Sequence, residues 1–333
     1  MKGLFTLLKK GSKSSLIAAL VNFVLGALKL GAYVLTGNVA MFAEMMHSFG
    51  DAANQLFVFV GSAVSKKAPN EKFPFGYGRL VNIVCLFAVI IVAILSYETI
   101  LEGIHGIMNP HQQDPNTMHF LINIGVLLIG VILETSVLYK AGQEVLHESG
   151  LPTGGIHPLT TSFANLSKAK PATKLVFMED TVASSGGLIA LIAVIIARFT
   201  GFVQIEGIVS VIIGLMMFYV VFKVFMENAA GAIGRADEEM EVNVSKIILE
   251  HPEISDIKRL VVMKEGEDKH IEVLVEIINH EYNLRELAVI KKDLTTRLLQ
   301  ESHVTDVNIE IMEDDGLADW VGGNQSSVNK NHL

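Results

Sequence analysis

The sequence predicts an α-helical membrane protein with six transmembrane helices, plus a small cytoplasmic α/β C-terminal domain of ferredoxin-like or metallochaperone-like type. Three observations predict it. Half of the 333 residues are hydrophobic and only 18% are charged, less charge than a soluble domain usually carries. Six apolar segments are long enough to span a bilayer, at roughly 20 residues each. After Gly234 the pattern changes to short amphipathic elements.

The six segments are Leu16–Leu35, Val39–Val64, Leu80–Ile104, Phe120–Tyr139, Leu175–Ala197 and Ile205–Phe225. Only Thr36, Gly37 and Asn38 join the first two, a tight turn that forces an antiparallel helix pair. Basic residues alternate between connections. Lys2, Lys9, Lys10 and Lys13 precede the first helix. Lys66, Lys67, Lys72 and Arg79 separate the second from the third, and Lys140, Lys168, Lys170 and Lys174 the fourth from the fifth. The third-to-fourth connection has no Lys or Arg, and only Arg198 borders the last one. The positive-inside rule then places both termini of this multi-pass protein in the cytoplasm. The bacterial inner membrane is the expected host. Residues 1–13, including MKGLFTLLKKGSKSS up to Lys13, read as a cytoplasmic lead-in rather than a cleaved signal. The membrane domain is expected over 14–230, with an irregular Gly- and Pro-bearing cytoplasmic loop at about 141–174 that has room for a short surface helix.

The C-terminal domain is expected over 236–313. Asp237–Glu250 and Leu284–Gln300 read as helices, and Ile257–Met263, His270–Ile278 and Asp306–Met312 alternate as strands. Val261, Val273, Val275 and Ile309 are its expected core. At about 80 residues the domain is short for an independent core, so pairing with a second copy would help it. The tail, 316–333, reads as disordered.

Composition also excludes. The single cysteine, Cys85, rules out an intramolecular disulfide and a cysteine-rich zinc cluster. The net charge of −9 and the lack of a basic block argue against nucleic acid as a partner.

The chemistry-bearing stretch is AEMMHSFGDAANQ, Ala43–Gln55, inside the second segment. His47 and Asp51 are four apart and share a helical face. An imidazole nitrogen and a carboxylate at that spacing suit one divalent ion such as Zn²⁺. Two ligands on one helix are not a site. The fifth segment supplies adjacent acids, Glu179 and Asp180, in KLVFMEDTVASSGG. They point about 100° apart, so only one easily faces a given partner. Intramembrane charges are expensive and usually functional. The plainer readings are an interfacial position for Glu179 and structural pairing for Lys29, Glu44, Glu98 and Glu134. Asn22, Asn54 and Gln55 are more often interhelical glue than ligands. Metal binding needs neutral His and ionised carboxylate, so it releases protons. Such a site is suited to metal/proton exchange.

Several motifs together resemble the cation diffusion facilitator (zinc transporter) family over roughly Ser14 to Met312. They are LTGNVAMFAEMMHSFGD, PFGYGR, SYETILEGI and SVIIGLMMFYVVF. The ED pair of KPATKLVFMEDTVASSGG is similar to a branch with mitochondrial and bacterial members. The resemblance implies a homodimeric secondary transporter in the lipid bilayer, not an enzyme, that exports a divalent metal from the cytoplasm in exchange for protons by alternating access. It implies His47, Asp51 and Asp180 as metal ligands. The family's best-known members carry a further ligand where this chain has Val176, and Glu179, Ser184, Asn22 or water are the candidates to replace it. Tyr77 and Glu310 stand where His is common, which removes the family's accessory and cytoplasmic zinc sites. His251, His270, His280 and His303 are scattered and read as surface residues. The expected cargo is Zn²⁺, with Mn²⁺, Co²⁺, Fe²⁺, Ni²⁺ or Cd²⁺ as alternatives and no other cofactor. The competing functions are a metal-gated channel or sensor and an intramembrane metalloenzyme. The metalloenzyme lacks an HExxH motif and an evident nucleophile–base pair.

Overall fold

The computed structural model describes residues 11–73, 76–110, 116–166, 169, 171–265, 268–321 and 324–325. Lys2, Lys9, Lys10, Lys168, Lys170 and most of the tail lie outside them. The described chain divides into two compact units. One comprises residues up to 63 with 84–228, and the other 64–83 with the chain from 229 onward.

The first unit is built from long helices: α1 (Lys13–Thr36), α2 (Val39–Ser65), α3 (Leu80–Met108), α4 (Thr117–Glu148), the short α5 (His157–Asn165), α6 (Pro171–Thr200) and α7 (Gln204–Ile233). By length and composition, α1, α3, α4, α6 and α7 are apolar enough to cross a membrane. Helix α2, 27 residues long, is long enough to cross as well but less apolar. It carries Glu44, His47 and Asp51, and those residues lower its hydropathy. Large side chains such as Ile17, Leu20, Phe87, Ile90, Ile132 and Leu215 are exposed. On helices buried this little, they form the surface a bilayer covers.

The α1–α2 turn is set by two residues. Gly37 adopts φ +65° and donates its N–H to the Tyr33 carbonyl, closing α1. Asn38 then caps α2, its Oδ1 accepting from Met41 N at 2.9 Å. Helix α4 runs nine residues past the expected Tyr139, so much of the connection read as irregular is helical. The short helix anticipated there is α5, whose Ser162 hydroxyl donates to the Gly142 carbonyl at 3.0 Å.

Close helix approach uses particular glycines. A Cβ at Gly187 would meet Glu134 Oε2 at 2.9 Å, and one at Gly186 would meet Glu44 Oε1 at 3.0 Å. Gly31 has open space instead. Between α3 and α7, a Cβ at Gly103 would lie 2.8 Å from the Gly207 carbonyl. Ser210 donates to Thr99 O across the same contact at 2.9 Å.

The second unit contains α8 (Glu238–Leu249), β1 (Ile254–Glu265), β2 (Asp268–Ile277), α9 (Leu284–Leu298) and β3 (Val304–Glu313). Strands β1 and β2 form an antiparallel hairpin, and β3 returns parallel to β2 after the α9 crossover. Asp237 caps α8, and Asn283 and Glu286 form a capping box on α9. Met240, Val244 and Ile248 join Ile290, Leu294 and Leu298 over Ile257, Val262, Ile271, Val273, Val275 and Ile309. Each such buried aliphatic side chain contributes about 1.5–3 kcal/mol.

Two expectations change here. Val261 is only half-buried, because a register shift between Ile257 and Arg259 turns Leu260 and Val262 inward instead. The chain after Gly316 is partly ordered: Trp320 is buried in the core, and β4 (Trp320–Val321) pairs with β5 (Asn324–Gln325).

Candidate metal-binding site

Five acids and one imidazole of the membrane unit, Glu44, Asp51, Glu134, Glu179, Asp180 and His47, come from α2, α4 and α6. On α2, His47 Nε2 stands 3.5 Å from Asp51 Oδ2, the i,i+4 pairing that a regular helix imposes. His47 is buried, whereas the Asp51 side chain is 42% exposed and opens into space. Asp51, Asn54 and Glu179 line one small cavity of about 30 Å³, walled by Val89, Val92, Val220, Val221 and Val224. Glu179 therefore shares a cavity with Asp51. Asp180, one position on, is not part of that lining. It remains within electrostatic reach of Asp51 and also of Glu134 on α4.

Val176 on α6 is 49% exposed. The position of the absent ligand, one turn before Asp180 on the same helix, thus carries an exposed apolar side chain in this chain. Among the other candidates, the Ser184 hydroxyl is 2.9 Å from that of Thr135 on α4, so it bonds a neighbouring helix. Asn22 is half-buried on α1, outside the cavity that Asp51 and Glu179 line. Asn54, read as interhelical glue, is a cavity residue.

A second charged layer lies one helical turn along α2. Lys29 Nζ donates to Glu44 Oε2 at 2.7 Å and to Glu134 Oε1 at 3.1 Å. Lys29 is 1% exposed and Glu44 is fully buried. The expected pairing of Lys29 with a neighbouring helix is realised, with two acids rather than one. Glu98 is exposed and takes no part in it. The remaining oxygens, Glu44 Oε1 and Glu134 Oε2, are buried without a hydrogen-bond partner, as are His47 Nε2 and Asp180 Oδ2. Orphaned buried polar atoms are costly. Four of them on three neighbouring helices fit a site organised to receive a cation. The donors form a loose set. Among the described residues, the groups of three or more acids whose ligand atoms all lie within 4.8 Å of one another are in the C-terminal unit.

At the far ends of the same helices, a cavity of about 80 Å³ lies beside the α1–α2 turn. Glu206 and Asn38 meet there, with Asn38 Nδ2 donating to Glu206 Oε1 at 2.7 Å. No sequence spacing announced this pair, because it joins positions 168 residues apart.

The histidines of the C-terminal unit have other contacts. His251 Nε2 is 3.5 Å from Asp293, and His270 lies between Glu265 and Asp306. His280 packs edge-on against Tyr282, and His303 sits at φ +66° in the turn before β3. Tyr77 accepts from Asn70 Nδ2 at 2.7 Å.

The family model described as the cation efflux transmembrane domain matches residues 15–231. The chain belongs to this cation efflux family. It is 25% identical over 244 residues to the mouse mitochondrial proton-coupled zinc antiporter SLC30A9, covering 73% of this chain and 41% of that protein. It is 26% identical over 225 residues to metal tolerance protein C4 of Arabidopsis thaliana, covering 67% and 47% of the two chains. It is 23% identical over 309 residues to the manganese efflux system protein MneS of Bacillus subtilis, covering 92% and 96%. The chain thus spans about two-fifths to one-half of the first two relatives, and nearly all of the bacterial one. The match to the cation efflux domain contains every candidate ligand on α2 and α6.

Proposed function

We propose that this chain is a secondary transporter that exports a divalent transition metal, Zn²⁺ or Mn²⁺, in exchange for protons. The carrying observation is the cavity that Asp51, paired with His47 on α2, shares with Glu179 of α6, together with Asp180 in electrostatic reach of Asp51 and four buried atoms that lack hydrogen bonds. His47, Asp51 and Asp180 are the proposed ligands, and Glu179 takes the place of the ligand absent at Val176. One imidazole with three carboxylates accommodates Zn²⁺, and its oxygen-rich character also suits Mn²⁺. The names of the relatives include both metals.

Proton exchange follows from the donor chemistry. Each ligand binds metal only when deprotonated, so metal and protons compete for the same atoms. Exposure of the emptied site to the other side lets protons replace the released ion. Alternating access then requires α6 to slide against α2 and α4, and Gly186 and Gly187 provide the close contact there. Both termini on the cytoplasmic side, a multi-pass topology and a homodimer joined through the C-terminal domain complete the proposal. The tests are metal-driven proton flux in proteoliposomes and its loss in Asp51→Ala. A channel or sensor would show flux indifferent to the pH gradient, or binding without flux.

A further inference from the structure

An acidic centre in the C-terminal unit has a composition that its single lysine does not balance. Glu276 lies on β2, the central strand, and is fully buried. Its cross-strand neighbour on β1 is Asp256. Like charges opposed across two strands repel, and a buried carboxylate has lost its water. Neither oxygen of Glu276 accepts a hydrogen bond. Lys258 Nζ is 3.5 Å from its Oε1, yet lies closer to two other acids, at 2.5 Å from Asp315 and 2.6 Å from Asp319. Those aspartates come from the segment after β3, which folds back over the β1–β2 pair. Asp319 N also donates to Asp256 Oδ2 at 2.6 Å.

The oxygens converge. Those of Asp256, Glu276 and Asp319 lie within 4.8 Å of one another, and so do those of Glu276, Asp314 and Asp315. Glu276 belongs to both groups. Its burial, and Asp315 beside it, raise its pKa, while Lys258 opposes the shift. Every donor is a carboxylate oxygen, the ligand type that Mn²⁺, Mg²⁺ and Ca²⁺ take and that structural Zn²⁺ sites with Cys and His do not resemble.

We propose that this centre is a second cation site, for a hard divalent ion of the Mn²⁺ class, held by Glu276 with Asp256, Asp315 and Asp319. Lys258 is its resident counter-charge, and the ion displaces the ammonium. The lysine stem starts on β1 and its side chain is 22% exposed, so the head can swing into water. The site is separate from the membrane ligands and does not depend on transport.

The alternative is a plain ion-pair cluster, and the two differ in sign. In the ion-pair reading Lys258 is essential; in the cation-site reading it competes with the ion. The test is Mn²⁺ binding to the purified full-length protein in nanodiscs, read by loss of the free aqueous Mn²⁺ resonance. An Asp51→Asn/Asp180→Asn background disables the membrane site by removing two of its four proposed ligands. We expect this background to retain one Mn²⁺ per chain. Adding Glu276→Gln weakens binding by about tenfold or more, and adding Lys258→Met tightens it. Unfolding cannot produce tighter binding, so the lysine variant keeps the test decisive. No Mn²⁺ bound by the background, unchanged binding in Glu276→Gln, or weaker binding in Lys258→Met each overturns the proposal.

Discussion

The Lys29 ammonium lies 2.7 Å from the Glu44 carboxylate, and both side chains are closed off from solvent. Glu134 completes the contact from α4 at 3.1 Å. A buried charge keeps its stability only while its partner remains. Replacement of Lys29 by Met therefore leaves two buried carboxylates facing each other. The expected loss is about 3–5 kcal/mol, seen as a lower unfolding temperature in detergent. Lys29→Met/Glu44→Gln should recover part of it, because the like-charge pair is gone. Equal damage in the single and double variants would show that the triad is not held by charge.

The α6 positions separate a proposed ligand from an apolar neighbour. Val176→Ala should leave metal transport unchanged, since Val176 is exposed and its side chain has no ligand atom. Glu179→Gln should weaken apparent metal affinity by about tenfold or more, the equivalent of ~1.4 kcal/mol. Initial transport rates against metal concentration give both answers. Equal effects at the two positions would contradict the placement of Glu179 in the cavity with Asp51.

Gly187 sets how close α6 comes to α4. A methyl group there would sit 2.9 Å from Glu134 Oε2 and 3.0 Å from Val131 Cγ2. Gly187→Ala should cost about 1–3 kcal/mol and slow transport. Gly31→Ala, where space is open, should do neither. Thermal unfolding and flux on the two variants make the comparison.

Glu276 gives the C-terminal unit a pH signature in chelator-treated protein. Its folded pKa is raised by burial and by Asp315. The folded state therefore holds its proton more tightly than the unfolded chain. The stabilisation from this group is complete below about 4.3, the ordinary glutamate value. It is lost as pH rises through the raised folded value. Glu276→Gln, which mimics the protonated form, should melt higher than wild type at neutral pH, and the gain should shrink on acidification. A gain that is flat with pH would contradict the assignment.

The membrane helices were legible because apolar length is a local property of the chain. The His47–Asp51 pair was legible for the same reason, since four residues make one helical turn. What joined distant segments was not. The cavity that Glu179 shares with Asp51 depends on how α6 is rotated against α2. The Gly103–Gly207 contact, and Glu206 with Asn38, depend on which helices become neighbours. Lys29 was readable as a charge in need of a partner, but its second acid, Glu134, lies 105 residues away. In the C-terminal unit, strict alternation named Val261 for the core, and one register shift in β1 handed that place to Val262. The polar composition of the tail predicts disorder, while Trp320 is the anchor that draws it back to the sheet.

The most direct measurement is Zn²⁺ and Mn²⁺ transport in proteoliposomes under an imposed pH gradient, with proton movement followed in the same vesicles, for wild type and Asp51→Ala. The account predicts saturable metal flux, proton flux in the opposite direction, and loss of both in the variant. Metal flux in wild type that ignores the pH gradient, or that survives in Asp51→Ala, would contradict it.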